Sequence, residues 1–146
     1  MQPQENLTAL EITELKELTV KYFLSQSLNC GLTMMHCLSD FFNLPVHEQV
    51  YASVNGIMEH RDKRHHCGLY KGALMFIGIY GTEKGWDRDK INANTLMLAQ
   101  AFEERYHSLN CYDIRSASFA ENPEHNLCHS LAEDAVLFAA SIIKTL

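Results

Sequence analysis

His65-His66-Cys67-Gly68-Leu69-Tyr70-Lys71-Gly72-Ala73-Leu74-Met75-Phe76-Ile77-Gly78-Ile79-Tyr80 begins as a polar, histidine-bearing loop and continues as a nearly unbroken apolar run. A helix from Cys67 to about Tyr80 is expected, apolar almost all round after Lys71, and such a helix belongs in the centre of a fold. Cys67 stands at its start. Unpaired backbone N–H groups and the positive end of the helix dipole favour a thiolate there, which makes Cys67 a candidate reactive or ligating thiol. Gly68 and Gly72 are four residues apart. They share one helix face and let another backbone, or a bound cluster, come close, so both are candidate cofactor-binding positions.

Working outward, the chain is helical on both sides of this stretch. Ile12, Leu15, Leu18 and Tyr22 recur at steps of three or four, predicting an amphipathic helix from about Thr8 to Ser27. Asn29 is a candidate N-cap for a second helix running to about Asn43, with Cys30 in its first turn and Cys30, Met34, Cys37 and Phe41 on one stripe. Pro45 suits the entry to a third helix, from Val46 to about His60. Asp87 can cap a fifth helix reaching about His107, with Ile91, Leu98, Phe102 and Tyr106 turned inward. Cys111 follows Asn110 and opens a short helical or irregular piece through Arg115. Residues 116–122 are the least regular, and Pro123 suits the start of a last helix to about Lys144, with Cys128, Leu131, Ala135, Phe138 and Ile142 on one face. No strand alternation, internal repeat or low-complexity tract is evident. The expected architecture is all-α, a single domain over residues 1–146, folded as one bundle of five to six main helices.

Composition narrows the function classes. A length of 146 residues lets the chain remove roughly two-thirds of its unfolded surface from water. A net charge of -6 argues against a nucleic-acid surface. The longest apolar run, from Ala73 to Tyr80, is too short to span a bilayer. The first six residues carry no signal-peptide pattern, so a cytoplasmic location is expected. In a reducing compartment five cysteines are ligands, redox thiols or core residues rather than a disulfide framework.

Taken together, the cysteines form a pattern: Cys30 after Asn29, the run Cys67-Gly68-Leu69-Tyr70-Lys71-Gly72, Cys111 after Asn110, and Cys128 near the start of the last helix. The sequence from about Leu28 to Ile143 resembles the C_GCAxxG_C_C family. Those proteins are described as redox-active four-cysteine domains with a Cys-Gly-Ala-x-x-Gly motif before an apolar helix. The resemblance implies that Cys30, Cys67, Cys111 and Cys128 are the family cysteines and that Cys37 is additional. Leu69 stands where the family has Ala, and the charged run from Glu59 to His66, with Gly56 before it, replaces the family's glycine-rich approach.

Four cysteines near helix starts could meet at one end of a bundle. Thiolates there suit zinc or an iron–sulfur cluster, and the same arrangement serves a dithiol–disulfide couple; the residues leave these alternatives open. His66 is a further candidate metal ligand, and His60, His65 and His129 are placed to supply a nitrogen. His47, His107 and His125 read as solvated or capping residues, Lys63 and Arg64 as a solvated loop, and Glu103 and Glu104 as part of a polar helix face. Without CxxC or CxxCH, neither a thioredoxin motif nor covalently attached haem is expected. P-loop, GxSxG and HExxH signatures are also missing. The leading expectation is a redox protein using a four-cysteine metal, iron–sulfur or thiol site in electron transfer with an unidentified redox partner. The alternative is a non-catalytic helical binding or structural module whose cysteines lie in the core or hold structural zinc. Exposed apolar helix faces near a buried cluster are compatible with a homodimer.

Overall fold

Side-chain caps set the helix starts. Asn29 accepts a hydrogen bond from the Leu32 N–H at 2.9 Å and Asp87 one from the Lys90 N–H at 2.8 Å, so both expected N-caps hold. Thr8 goes further and forms a capping box with Glu11. The computed structural model describes residues 5–57, 65–115 and 127–146. Its elements are α1 (Ala9–Thr19), a π-helical segment (Val20–Ser25), α2 (Cys30–Phe41), α3 (Glu48–Val54), α4 (Gly68–Glu83), α5 (Arg88–Tyr106) and α6 (Leu127–Lys144). Residues 111–115 form a further helical turn. Among the described residues the fold is all-α without strands, and none of their helices is long and apolar enough to cross a membrane.

The first helix differs from the expected continuous stretch. It widens after Thr19 into the π-helical segment and stops before Ser27, which takes a left-handed conformation (φ 52°). Tyr22, in this segment, lies in the core, where its hydroxyl donates to Asp40 and its ring stacks on His36. The third helix is shorter than expected, Glu48–Val54, and starts after His47 rather than at Val46. Its expected end near His60 lies outside the described residues, as do Lys63, Arg64, residues 116–122, Pro123 and His125.

The core is shared between two helices. In α4, Leu69, Ala73, Phe76 and Ile77 are completely buried, as the apolar run requires. Residues 135–143 of α6 are buried without interruption, so α6 is as central as α4. The partly exposed Met75, Gly78 and Ile79 of α4 instead border a shallow groove with Val50 of α3. Close helix contact comes from Gly72: a Cβ there would lie 2.7 Å from the Gly31 carbonyl oxygen and 3.0 Å from Met34 Cβ. The missing side chain thus lets α4 press on the first turn of α2, beside Cys30.

Candidate functional site

All four family-pattern cysteines stand where helical backbone begins. Cys30 is the first residue of α2, Cys67 the N-cap of α4, Cys111 the first residue of the helical turn 111–115, and Cys128 the second residue of α6. Their elements are far apart in sequence but open on one cavity of about 460 Å³ that all four line. Two features bring them together. Gly72 lets the start of α4 approach that of α2. A single antiparallel bridge between His66 and Asn110 ties the Cys67 and Cys111 turns together.

The five cysteines are free thiols. Cys67 is 3% exposed, whereas Cys30, Cys111 and Cys128 are half-buried, so the cavity has one deep sulfur and three nearer its opening. The expected depressed pKa at Cys67 is not found. Burial pushes its thiol up to about 11, and the nearby Cys111 and Cys128 add to the rise. The N–H groups of Leu69 and Tyr70 oppose the shift, but the sulfur closes no full capping hydrogen bond, and desolvation wins. In this state Cys67 is a protonated thiol and a weak nucleophile.

Cys37 is separate from the cavity. It is completely buried on the core stripe of α2, and burial raises its thiol to about 12 against a lowering hydrogen bond from Thr19. Of the candidate histidines, His65 and His66 line the cavity, and the His66 ring stands edge-on to Tyr70 with centroids 5.6 Å apart. His129 is directed elsewhere, with its ring 6.3 Å from that of Phe23 and Nε2 4.0 Å from a Glu133 carboxylate oxygen. His60 lies outside the described residues. Gly68 lines the cavity, whereas Gly72 meets the backbone of α2 rather than the cavity wall. Leu69, the residue in place of the motif's Ala, is buried and also lines the cavity.

The two cationic Lys and Arg residues of the cavity lining, Lys71 and Arg115, escaped the reading of the sequence. The signal for both was spacing: each follows a cavity cysteine by four residues, which puts Cys67 with Lys71 and Cys111 with Arg115 on one helical face. No Asp or Glu is among the described lining residues, although the whole chain carries a net charge of -6. Among the described residues, no three His, Cys, Asp or Glu side chains come close enough together to hold a single metal ion. The arrangement is therefore a thiol-lined cavity with Lys71 and Arg115 among its described lining residues.

No curated protein and no solved structure matches the chain. A family model described as "Putative redox-active protein (C_GCAxxG_C_C)" matches residues 28–142, a span that contains Cys30, Cys67, Cys111 and Cys128. The chain belongs to the C_GCAxxG_C_C family.

Proposed function

We propose that this chain is an electron-transfer protein in which Cys30, Cys67, Cys111 and Cys128 hold an iron–sulfur cluster in the cavity they line. The observation that carries the reading is the meeting of these four thiols, each at the start of helical backbone, around one space of about 460 Å³. Soft sulfur donors suit iron–sulfur clusters. Such a cluster, when bound, supplies one-electron redox chemistry.

The chain's own residues would do the rest. Backbone N–H groups at the helix starts offset the negative charge of four thiolates. The buried position of Cys67 suits a ligand better than an attacking thiolate: metal coordination deprotonates a thiol that burial otherwise keeps neutral. A dithiol couple is the second reading, with Cys67 and Cys111 diagonal neighbours across the His66–Asn110 bridge.

The test is anaerobic purification of the full chain, followed by reconstitution with ferrous iron and sulfide. Broad visible absorption that bleaches on reduction with dithionite is the expected result. A colourless, iron-free protein that instead loses two thiols on mild oxidation would replace this reading with the dithiol one.

A further inference from the structure

Helix α4 packs against α2, α5 and α6 and leaves one face open. Two of its glycines are accounted for within the chain: Gly72 presses on the Gly31 carbonyl, and a Cβ at Gly81 would lie 2.6 Å from the Trp86 ring and 2.9 Å from Ile91. Gly78 has no such neighbour, since nothing lies within 4 Å of an added Cβ. Lys71, Met75, Gly78 and Thr82 follow steps of four, three and four and so share this open face. Met75, Gly78 and Thr82 also line the groove of about 400 Å³ that α4 forms with Val50 of α3. We infer that this face of α4 is the interface with a second copy of the chain, packed antiparallel so that Met75 of each copy seats over Gly78 of the other. The inference stands apart from what the cysteine cavity holds.

The face is its own complement. Met75 and Gly78, and likewise Lys71 and Thr82, are equidistant from the midpoint between Phe76 and Ile77, so a twofold axis there sets the long Met75 side chain of one copy against the bare Gly78 backbone of the other, twice over. A flexible thioether fills an irregular groove well, and the missing Cβ lets the two helices approach closely. The same axis brings Lys71 to Thr82 and the adjoining Glu83 of the second copy. No residue from Gly72 to Thr82 carries a charge, so the open face is a strip about 18 Å long with a cation at one end and an anion at the other. Neither charge has an ionic partner at home: among the described residues the Lys71 ammonium donates to the Ile57 carbonyl, at 2.7 Å, and Glu83 has no cation beside it. An antiparallel pair closes two Lys71–Glu83 ion pairs at the rim, whereas a parallel pair would set like charges together. That charge complementarity is what commits the face to a second copy in this orientation. An interface built on one helix face is small, and a dissociation constant in the micromolar range is expected.

The experiment is sedimentation equilibrium of the full chain from about 1 to 100 μM, with far-UV circular dichroism confirming that each variant is folded. Wild type is expected to pass from monomer to dimer within that range. Met75→Glu and Gly78→Glu each put two carboxylates into the apolar strip and are expected to weaken the dimer roughly a hundredfold. Lys71→Glu and Glu83→Lys are each expected to weaken it roughly tenfold by setting like charges together, and the variant carrying both reversals is expected to recover the wild-type dimer. Leu10→Glu changes an apolar residue of α1 that is 83% exposed, and is expected to leave association unchanged. A folded wild-type chain that stays monomeric up to about 100 μM overturns the inference, as does a dimer that withstands both Met75→Glu and Gly78→Glu. A dimer broken by the single charge reversals and not restored by the double one overturns the antiparallel pairing.

Discussion

His66 and Asn110 form an isolated antiparallel bridge that joins two turns 44 positions apart, each carrying a cavity cysteine. On either side of it the Cys67 N–H donates to the Leu109 carbonyl at 2.7 Å and the Cys111 N–H to the His65 carbonyl at 2.9 Å. The backbone amides of both cysteines are therefore used to hold the site, leaving the sulfurs for chemistry. Asp113 supports the second turn by accepting from Ser108 at 3.1 Å and from the Asn110 side chain at 3.3 Å.

Asp113→Ala removes these two side-chain bonds without touching a cysteine. A net loss of about 1 kcal/mol is expected for such bonds, corresponding to roughly fivefold faster hydrogen exchange at the Cys111 amide. Exchange followed by NMR checks this; an unchanged rate would mean that the turn is held by the bridge alone.

Gly72 and Gly78 lie on the same helix but predict opposite outcomes. A methyl at Gly72 meets the Gly31 backbone, which cannot rotate away, so Gly72→Ala is expected to cost about 1–3 kcal/mol and lower the melting temperature by roughly 3–10 °C. At Gly78 nothing lies within 4 Å of an added Cβ, and Gly78→Ala is expected to stabilise the helix by up to about 1 kcal/mol. Thermal melts of the two variants give the comparison directly.

Asp134 accepts from Arg105 at 2.9 and 2.6 Å and from the Tyr106 hydroxyl. Burial alone would raise its pKa, but the hydrogen bonds from Arg105 and Tyr106 outweigh burial and hold it below the usual carboxylate value. A depressed carboxylate contributes stability that is present above its unfolded pKa, about 3.9, and lost as pH falls through the lower folded value. Asp134→Asn is therefore expected to be less stable than wild type by about 1 kcal/mol at pH 7, a modest figure because the pair is partly solvated, and the gap should narrow as pH falls below about 4. Denaturant titrations at the two pH values measure it.

Much of the fold around the cavity was legible in the sequence, for local reasons. Asn29 and Asp87 announce helix starts because a cap needs only its own neighbours. The stripe containing Cys37 reads as core because helical periodicity is local too. The π-helical segment at Val20–Ser25 was not legible, since it depends on where Tyr22 finds Asp40 and His36 on another helix. The burial of Cys67 was hidden for a similar reason: the helix start argues for a thiolate, and only packing shows that desolvation is the larger effect. The pairing of 65–67 with 109–111 joins segments too distant for any sequence pattern to connect.

The most direct test is the iron and acid-labile sulfide content per chain of the anaerobically reconstituted protein, compared with single Cys→Ser variants and with Cys37→Ala. The account predicts stoichiometric iron and sulfide in wild type and in Cys37→Ala, and loss or marked destabilisation of both in the variants of Cys30, Cys67, Cys111 and Cys128. Iron that is absent from wild type, or that survives equally well in all four cavity variants, would contradict it.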